Sequence, residues 1–272
     1  MNVCVIGFGH FASIVAAGLA ERHHTVAQSD EMPHLVRLGQ VSPESEPEYT
    51  ESLETMRARG CIVPALDSVD IYWIAYDVPL DSHGAPDTTE VERRIVALDS
   101  RVSKDIPFIV SCQWPVGTTR KVSERCQGRE LIYVMENVRA GKAVIDFSSN
   151  PFPVIGVNMP LSQVAATFLA SRFQMMPISW ESAEMAKHAT NGFMALQIAF
   201  ANEIATVCRL TGADADDVMR AVQSDQRVSG KAPLRPGAPF GGGSLQRDLM
   251  VLEGLTDGPI IHAIRKSNDS RS

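Results

Sequence analysis

The sequence predicts an α/β chain in which a doubly wound, mostly parallel sheet is followed by an all-helical domain built on a long central helix. Three observations predict it. The chain opens on a short β-branched run that passes through glycines into a helical pattern; short apolar runs then alternate with helical stretches; and from Trp180 this alternation gives way to more than thirty residues without proline. Alternating strand and helix signals indicate a parallel sheet with helices on both faces.

The composition suits that reading. At 272 residues, 44% hydrophobic and 21% charged, the chain has the length of two domains and can bury a sizeable core. Thirty-two acidic against 25 basic residues give a net charge of -7, which disfavours nucleic acid or an anionic membrane as the main partner. The five cysteines (Cys4, Cys61, Cys112, Cys126, Cys208) are widely spaced and odd in number. They point to a reducing cytosol rather than a disulfide framework, and no His/Cys/Asp cluster has metal-ligand spacing. Residues 2–20 lack a preceding Lys or Arg and are interrupted by Gly7 and Gly9, unlike a signal peptide. No apolar stretch reaches the ~20 residues of a bilayer span, so the expectation is a cytoplasmic protein without membrane contact.

Taken in order, Val3 to Ile6 is the first strand, and Gly7-Phe-Gly-His-Phe-Ala12 leads into the helical pattern Ile14, Val15, Ala17, Gly18, Leu19. Gly7 permits a tight turn, Gly9 lets a pyrophosphate approach the backbone, His10 and Phe11 open the helix, and Ala12 keeps it close to the strand. The helix N-terminus offers N–H groups and partial positive charge to phosphates. A second strand, His24 to Gln28, ends near Asp30, 23 residues beyond Gly7. A carboxylate there accepts from the ribose hydroxyls and repels a 2′-phosphate, favouring NAD over NADP, although Arg37 or His34 beside the ribose would weaken that preference. Such glycine turns also occur in purely structural βαβ units; here strand, helix and acid agree on a Rossmann-type dinucleotide-binding domain, residues 1–179.

Further strands are expected at Ile71 to Ala75, Phe108 to Val110, Leu131 to Val134 and Val154 to Val157, with helices at Thr88 to Ser103 and Thr118 to Cys126. Glu181 to Thr211 reads as one helix about 45 Å long at 1.5 Å per residue. Its apolar positions, among them Met185, Phe193, Leu196, Phe200 and Val207, occupy more than one side, as in a spine between domains or between the subunits of a homodimer. Gly212 would cap it, and Asp214 to Val222 would begin another helix. Residues 180–267 are expected to form the helical domain, and the polar residues beyond them, 268–272, a disordered tail. Within it, the Pro- and Gly-rich segment 231–248 is read as a substrate loop, because the amphipathic helix Leu245 to Leu255 follows directly.

The order of motifs resembles the UDP-glucose/GDP-mannose dehydrogenase family over nearly the whole chain. Besides the glycine turn, Ser111-Cys-Gln-Trp-Pro-Val-Gly-Thr-Thr119 resembles its turn after a central strand, and Met135-Glu-Asn-Val-Arg-Ala-Gly-Lys-Ala143 its acidic segment. Glu184-Met-Ala-Lys-His-Ala-Thr-Asn191 and Ala199-Phe-Ala-Asn-Glu203 resemble its central helix, and Phe240-Gly-Gly-Gly-Ser-Leu-Gln-Arg-Asp248 its catalytic loop. The resemblance implies that Pro79 and Thr118 join Gly7, Gly9, His10, Phe11, Ala12 and Asp30 around NAD. It also implies that Lys187, Asn191, Asp248, Thr118 and Glu136 carry the chemistry, and that Arg227 reaches a substrate site. The departures are specific. Ser244 stands where the family has the Cys that forms a thioester, Ala140 replaces a second acidic residue, Arg247 replaces a Lys, and the chain ends at Ser272 where the family continues into a nucleotide-binding domain. The sequence is accordingly read as a two-domain version of a three-domain plan.

Lys187 and Asn191, at i and i+4, share a helix face. A lysine beside the nicotinamide can accept a hydroxyl proton as hydride leaves, or hold an oxyanion. A serine hydroxyl needs a dedicated base and its ester leaves poorly, so Ser244 is expected to hydrogen-bond substrate rather than attack it. Asp248 and Thr118 would place a water that Glu136 helps orient. Arg227, Lys231, Arg235 and Arg247, with Gly242 and Gly243 of the loop, suit an anionic substrate. The resulting expectation is an NAD-dependent two-electron oxidoreductase acting on a hydroxyl or carbonyl of a small anionic, sugar-like molecule. The alternatives are a four-electron 6-dehydrogenase using water in place of the thiol, and a catalytically silent NAD-binding protein.

Overall fold

A computed structural model describes residues 1–7, 10–21, 24–29, 59, 61, 67–82, 84–135, 137–139, 141–149, 154–158, 160–170, 176–241 and 243–271. Gly9, Asp30, Glu136 and Gly242 lie outside the described residues, as do His34, Arg37 and Ala140. Two compact units result: residues 1–79 with 87–187, and residues 80–86 with 188–272.

The first unit is a seven-stranded sheet of order β2-β1-β3-β4-β5-β6-β7. Its strands are β1 (Asn2–Ile6), β2 (Thr25–Ser29), β3 (Ile71–Ile74), β4 (Phe108–Val110), β5 (Leu131–Met135), β6 (Val154–Gly156) and β7 (Met176–Ile178). All neighbouring pairs are parallel except β5 with β6. The helices between strands are α1 (His10–Glu21), α2 (Thr89–Asp99), α3 (Thr118–Arg125), α4 (Ala143–Ser149) and α5 (Gln163–Ala170).

Strand periodicity sends alternate residues to opposite faces. Val3, Val5, Val26, Ile71, Trp73, Ile109 and Ile132 pack with α1, α4 and α5, whereas Cys4, Ile6, Tyr72, Ile74, Phe108, Val110 and Leu131 pack with α2, α3, Trp180 and Ala183. Both faces are thus apolar, which is why these strands read as continuous hydrophobic runs. The chain leaves β1 toward β2 on one side and returns to β3 on the other, so the switch point lies between β1 and β3, where ligands of such sheets bind. Gly18 lets α1 meet α4 closely: a Cβ there would lie 2.2 Å from Phe147 Cδ1.

The long helix α6 (Trp180–Thr211) begins in this unit and continues into the second, which also holds α7 (Ala215–Gln223), α8 (Gly243–Leu255) and α9 (Pro259–Asp269). Gly212, at φ 75°, ends α6, and Ala213 N–H returns to the Cys208 carbonyl. Asp214 caps α7 by accepting from Asp217 N–H. Ala195, Ala199, Leu249 and Ile264 form one small core here, and Ala201, Met219 and Leu234 another.

The sheet, mostly parallel as expected, also holds β7, and β6 and β7 run opposite to the other strands. Two sequence expectations require correction. Asn268 and Asp269, the first two residues of the expected disordered tail, continue α9, with Asn268 buried. By length and composition α6 also meets the criterion for a membrane span, which the sequence reading did not expect. Its Glu184, His188, Asn191 and Asn202 are nonetheless buried against polar partners of the protein. All five cysteines are free; Cys61 is partly exposed and the other four are buried.

Candidate active site

The dinucleotide turn follows β1. Gly7 has φ 146°, and a Cβ there would stand 2.5 Å from the Ala75 carbonyl oxygen and 3.1 Å from Ala12 Cβ. Ala75 N–H in turn donates to Ile6 O at 2.8 Å. Any side chain at position 7 would force the ends of β1 and β3 apart, so the requirement for glycine is steric as well as conformational. Ala12 is buried beneath the turn, Phe11 packs on the core, and α1 starts at His10, directing its positive end to the switch point. This cradle fits a dinucleotide pyrophosphate. Pro79 is exposed beyond β3, and its carbonyl accepts from Asp87 N–H.

Thr118 opens α3 and is buried, with its hydroxyl donating to the Pro115 carbonyl at 2.6 Å. The N-terminus of α3 is capped from α6. Glu184 Oε2 accepts Gly117 N–H at 2.5 Å, and Oε1 accepts Thr119 N–H at 2.8 Å and the Thr119 hydroxyl at 2.6 Å. Burial pushes the Glu184 carboxyl above its ordinary pKa, while the bonds from Thr119 and Gly117 pull it back. Glu184 thereby ties the turn bearing Thr118 to the helix bearing Lys187. The sequence reading quoted Glu184 only as part of a motif, because its cap partners lie more than sixty residues away.

Lys187 is half-buried, and its Nζ donates to Asn137 Oδ1 at 3.0 Å. Asn137, next to Glu136 in the acidic segment, was not singled out by the sequence reading.

In the second unit, Asn191 Nδ2 donates to Asp248 Oδ2, and His188 Nδ1 meets Asp248 Oδ1 at 2.7 Å. Asp248 is fully buried, and His188 and Asn191 nearly so. Asp248 lies in the second turn of α8, too far from its start to serve as the ordinary acid of a helix N-terminus. Ser244, four residues earlier on the same helix, is exposed. The Pro- and Gly-rich loop preceding α8 is held by two buried asparagines. Asn202 accepts Gly237 N–H at 2.8 Å, and Asn268 accepts Phe240 N–H at 2.8 Å while donating to Phe240 O at 3.1 Å. Neither asparagine was read as functional; Asn268 fell in the expected tail.

The basic residues divide. Arg227 pairs with Asp225 at 2.6 Å with 88% of its side chain exposed, and Arg220 pairs with Asp217. Lys231 and Arg235 are exposed. Arg247 is half-buried, and its Nε is a buried nitrogen without a hydrogen-bond partner. Among the described residues no group of His, Cys, Asp and Glu is arranged to hold a metal ion.

Comparison with known proteins bears on the family and the fold. A UDP-glucose 6-dehydrogenase of Pseudomonas aeruginosa is 28% identical over 275 residues, covering 93% of this chain and 60% of that protein. One from Bacillus subtilis is 28% identical over 270 residues, covering 93% and 61%. The chain therefore spans about three fifths of the length of these two relatives. A solved UDP-glucose dehydrogenase from Pyrobaculum islandicum matches 99% of this chain and 68% of its own, with a TM-score of 0.83 and 26% identity. The fold also matches a 3-hydroxyisobutyrate dehydrogenase of Mycobacterium tuberculosis over 97% of this chain and 91% of that one, at TM-score 0.63 and 14% identity. Residues 1–173 match the model of the NAD binding domain, and residues 181–270 the model of the central domain, of one family, and the chain belongs to the UDP-glucose/GDP-mannose dehydrogenase family.

Proposed function

We propose that the chain is an NAD-dependent oxidoreductase that interconverts a hydroxyl and a carbonyl on a small anionic, sugar-like or nucleotide-sugar-like substrate in one two-electron step. The observation that carries this reading is the half-buried Lys187, aimed by Asn137 within the unit that holds the dinucleotide turn. When bound, NAD supplies the hydride acceptor. Gly7, Ala12 and the start of α1 hold its pyrophosphate, and Lys187 takes the hydroxyl proton in oxidation and returns it in reduction. Arg247 offers a buried N–H that an anionic group satisfies, and Ser244 offers a hydroxyl for binding.

The engagement of both Asp248 oxygens favours two-electron over four-electron chemistry. A carboxylate already held on each side has less capacity to activate the water that must replace the thiol in a second oxidation. We further propose a homodimer through α6, supported by exposed Phe193, Phe200 and Val207, which recur every seven residues along one face.

The test is NADH formation from NAD with UDP-glucose, GDP-mannose and glucose 6-phosphate, with product counted by mass spectrometry. One NADH per product is expected, and two would select the four-electron route. Lys187→Ala should lower kcat by about 100-fold or more with NAD affinity unchanged. Unchanged turnover in that variant would remove Lys187 from the mechanism.

A further inference from the structure

The Asp248 carboxyl group is fully buried, and its two oxygens meet two side chains of one helical turn. His188 and Asn191, at i and i+3 on α6, form a fork around it: Nδ1 of His188 reaches Oδ1 at 2.7 Å, and Nδ2 of Asn191 reaches Oδ2. All three residues belong to the second unit. The close approach of the two helices is written next to the fork. A Cβ on Gly192 would stand 2.9 Å from Leu252 Cδ1, so glycine lets α8 press against α6 one residue beyond Asn191, and Leu249, beside Asp248, is fully buried.

Burying a carboxylate costs several kcal/mol before its hydrogen bonds compensate, and apolar side chains of similar volume often fill such a place at no loss of stability. A fork of two polar side chains around a mid-helix acid is therefore weak as a stabilising device. As an orienting device it is strong. A partner on each oxygen holds the carboxylate plane against turning about its Cβ–Cγ bond more firmly than a partner on one alone. With Asp248 ionised, the carboxylate also sets the imidazole tautomer, placing the proton on Nδ1.

We propose that His188 is a positioning residue that fixes the carboxylate plane of Asp248 and acts on the chemical step only through it. This rests on the reading that Asp248 serves the two-electron step by orienting the substrate hydroxyl rather than by activating a water. It adds to Lys187, Asn191 and Asp248 a residue whose neighbours in sequence gave no hint of it.

The experiment uses the full chain with His188→Leu, His188→Asn and Asp248→Asn, assayed with NAD and each of UDP-glucose, GDP-mannose and glucose 6-phosphate. His188→Leu removes the donor, whereas His188→Asn keeps an N–H near the position of Nδ1. The expected result is a loss of about 10–100-fold in kcat for His188→Leu, with KM within threefold of the parent, and recovery of most of that loss in His188→Asn. Should His188→Leu not fold, histidine-selective 15N NMR of the parent and of Asp248→Asn carries the test. A protonated Nδ1 on His188 that shifts in Asp248→Asn supports the fork, and an unprotonated Nδ1 in the parent overturns it. If Asp248→Asn loses turnover while His188→Leu keeps it, the inference about His188 fails alone. If Asp248→Asn turns over like the parent, or the parent reduces no NAD with any of the three probes, the reading of Asp248 falls and takes this inference with it.

Discussion

Glu184 accepts from Gly117 N–H, Thr119 N–H and the Thr119 hydroxyl. Truncating it in Glu184→Ala leaves Gly117 N–H, Thr119 N–H and the Thr119 hydroxyl without their acceptor, at a cost of about 2–4 kcal/mol read from urea midpoints. Glu184→Gln retains one acceptor oxygen and should lose less than half of that. At this scale the sequence was readable where spacing alone carries meaning. Lys187 and Asn191 sit on adjacent turns of a motif, and Gly7 sits where a turn demands it. Asn137, His188 and Glu184 were not readable, because each matters through a partner 50 to 67 residues away. Only the fold brings such partners together.

Among the elements, the loop before α8 shows how a proline- and glycine-rich segment is given a single shape. Proline removes donors and glycine adds freedom, so few backbone groups remain to hold it, and Asn202 and Asn268 supply what the loop's own backbone cannot. Asn268→Ala is expected to leave α9 helical by circular dichroism and lower stability by about 1–2 kcal/mol. It should also raise cleavage of segment 231–241 by a protease of broad specificity several-fold; an unchanged digestion pattern would show that the loop holds itself. The length of α6, its glycine cap and the start of α7 were legible from periodicity and capping residues. The reversal of β6 was not, because a short apolar strand has the same composition in either direction. Nor was β7: Met176, Pro177 and Ile178 form an edge strand in which a proline is tolerated.

Across the whole molecule, the strand–helix alternation gave the fold class because both faces of one sheet had to be covered, while the division into two units falls within the continuous helix α6, after Lys187 rather than at its start. The buried thiols add a pH dependence. Burial pushes Cys4 and Cys112 up to about 12, and Cys126 up to about 11, from an ordinary 9.0. The folded chain keeps these protons to higher pH than the unfolded chain does, so their contribution is intact below about pH 9 and drains away as pH rises toward 12. Urea midpoints should fall between pH 9 and 11 with a slope of about 1.4 kcal/mol per pH unit for each thiol still protonated in the fold. A Cys4→Ala/Cys112→Ala double variant should flatten that decline, and an equal slope in the variant would assign it elsewhere.

The same burial governs how the protein meets oxidants. At pH 8 iodoacetamide should label Cys61 quickly and the other four thiols only on unfolding, as counted by intact mass. Ser244 occupies the loop position at which the family resemblance places a nucleophilic thiol. The reaction centre proposed above, built on hydroxyl, amide, amine and carboxylate groups, offers peroxide nothing to convert to a sulfenic acid. Under the proposed function, turnover should persist after treatment with peroxide at concentrations that silence thiol-dependent dehydrogenases, and its loss in step with Cys61 oxidation would overturn that expectation.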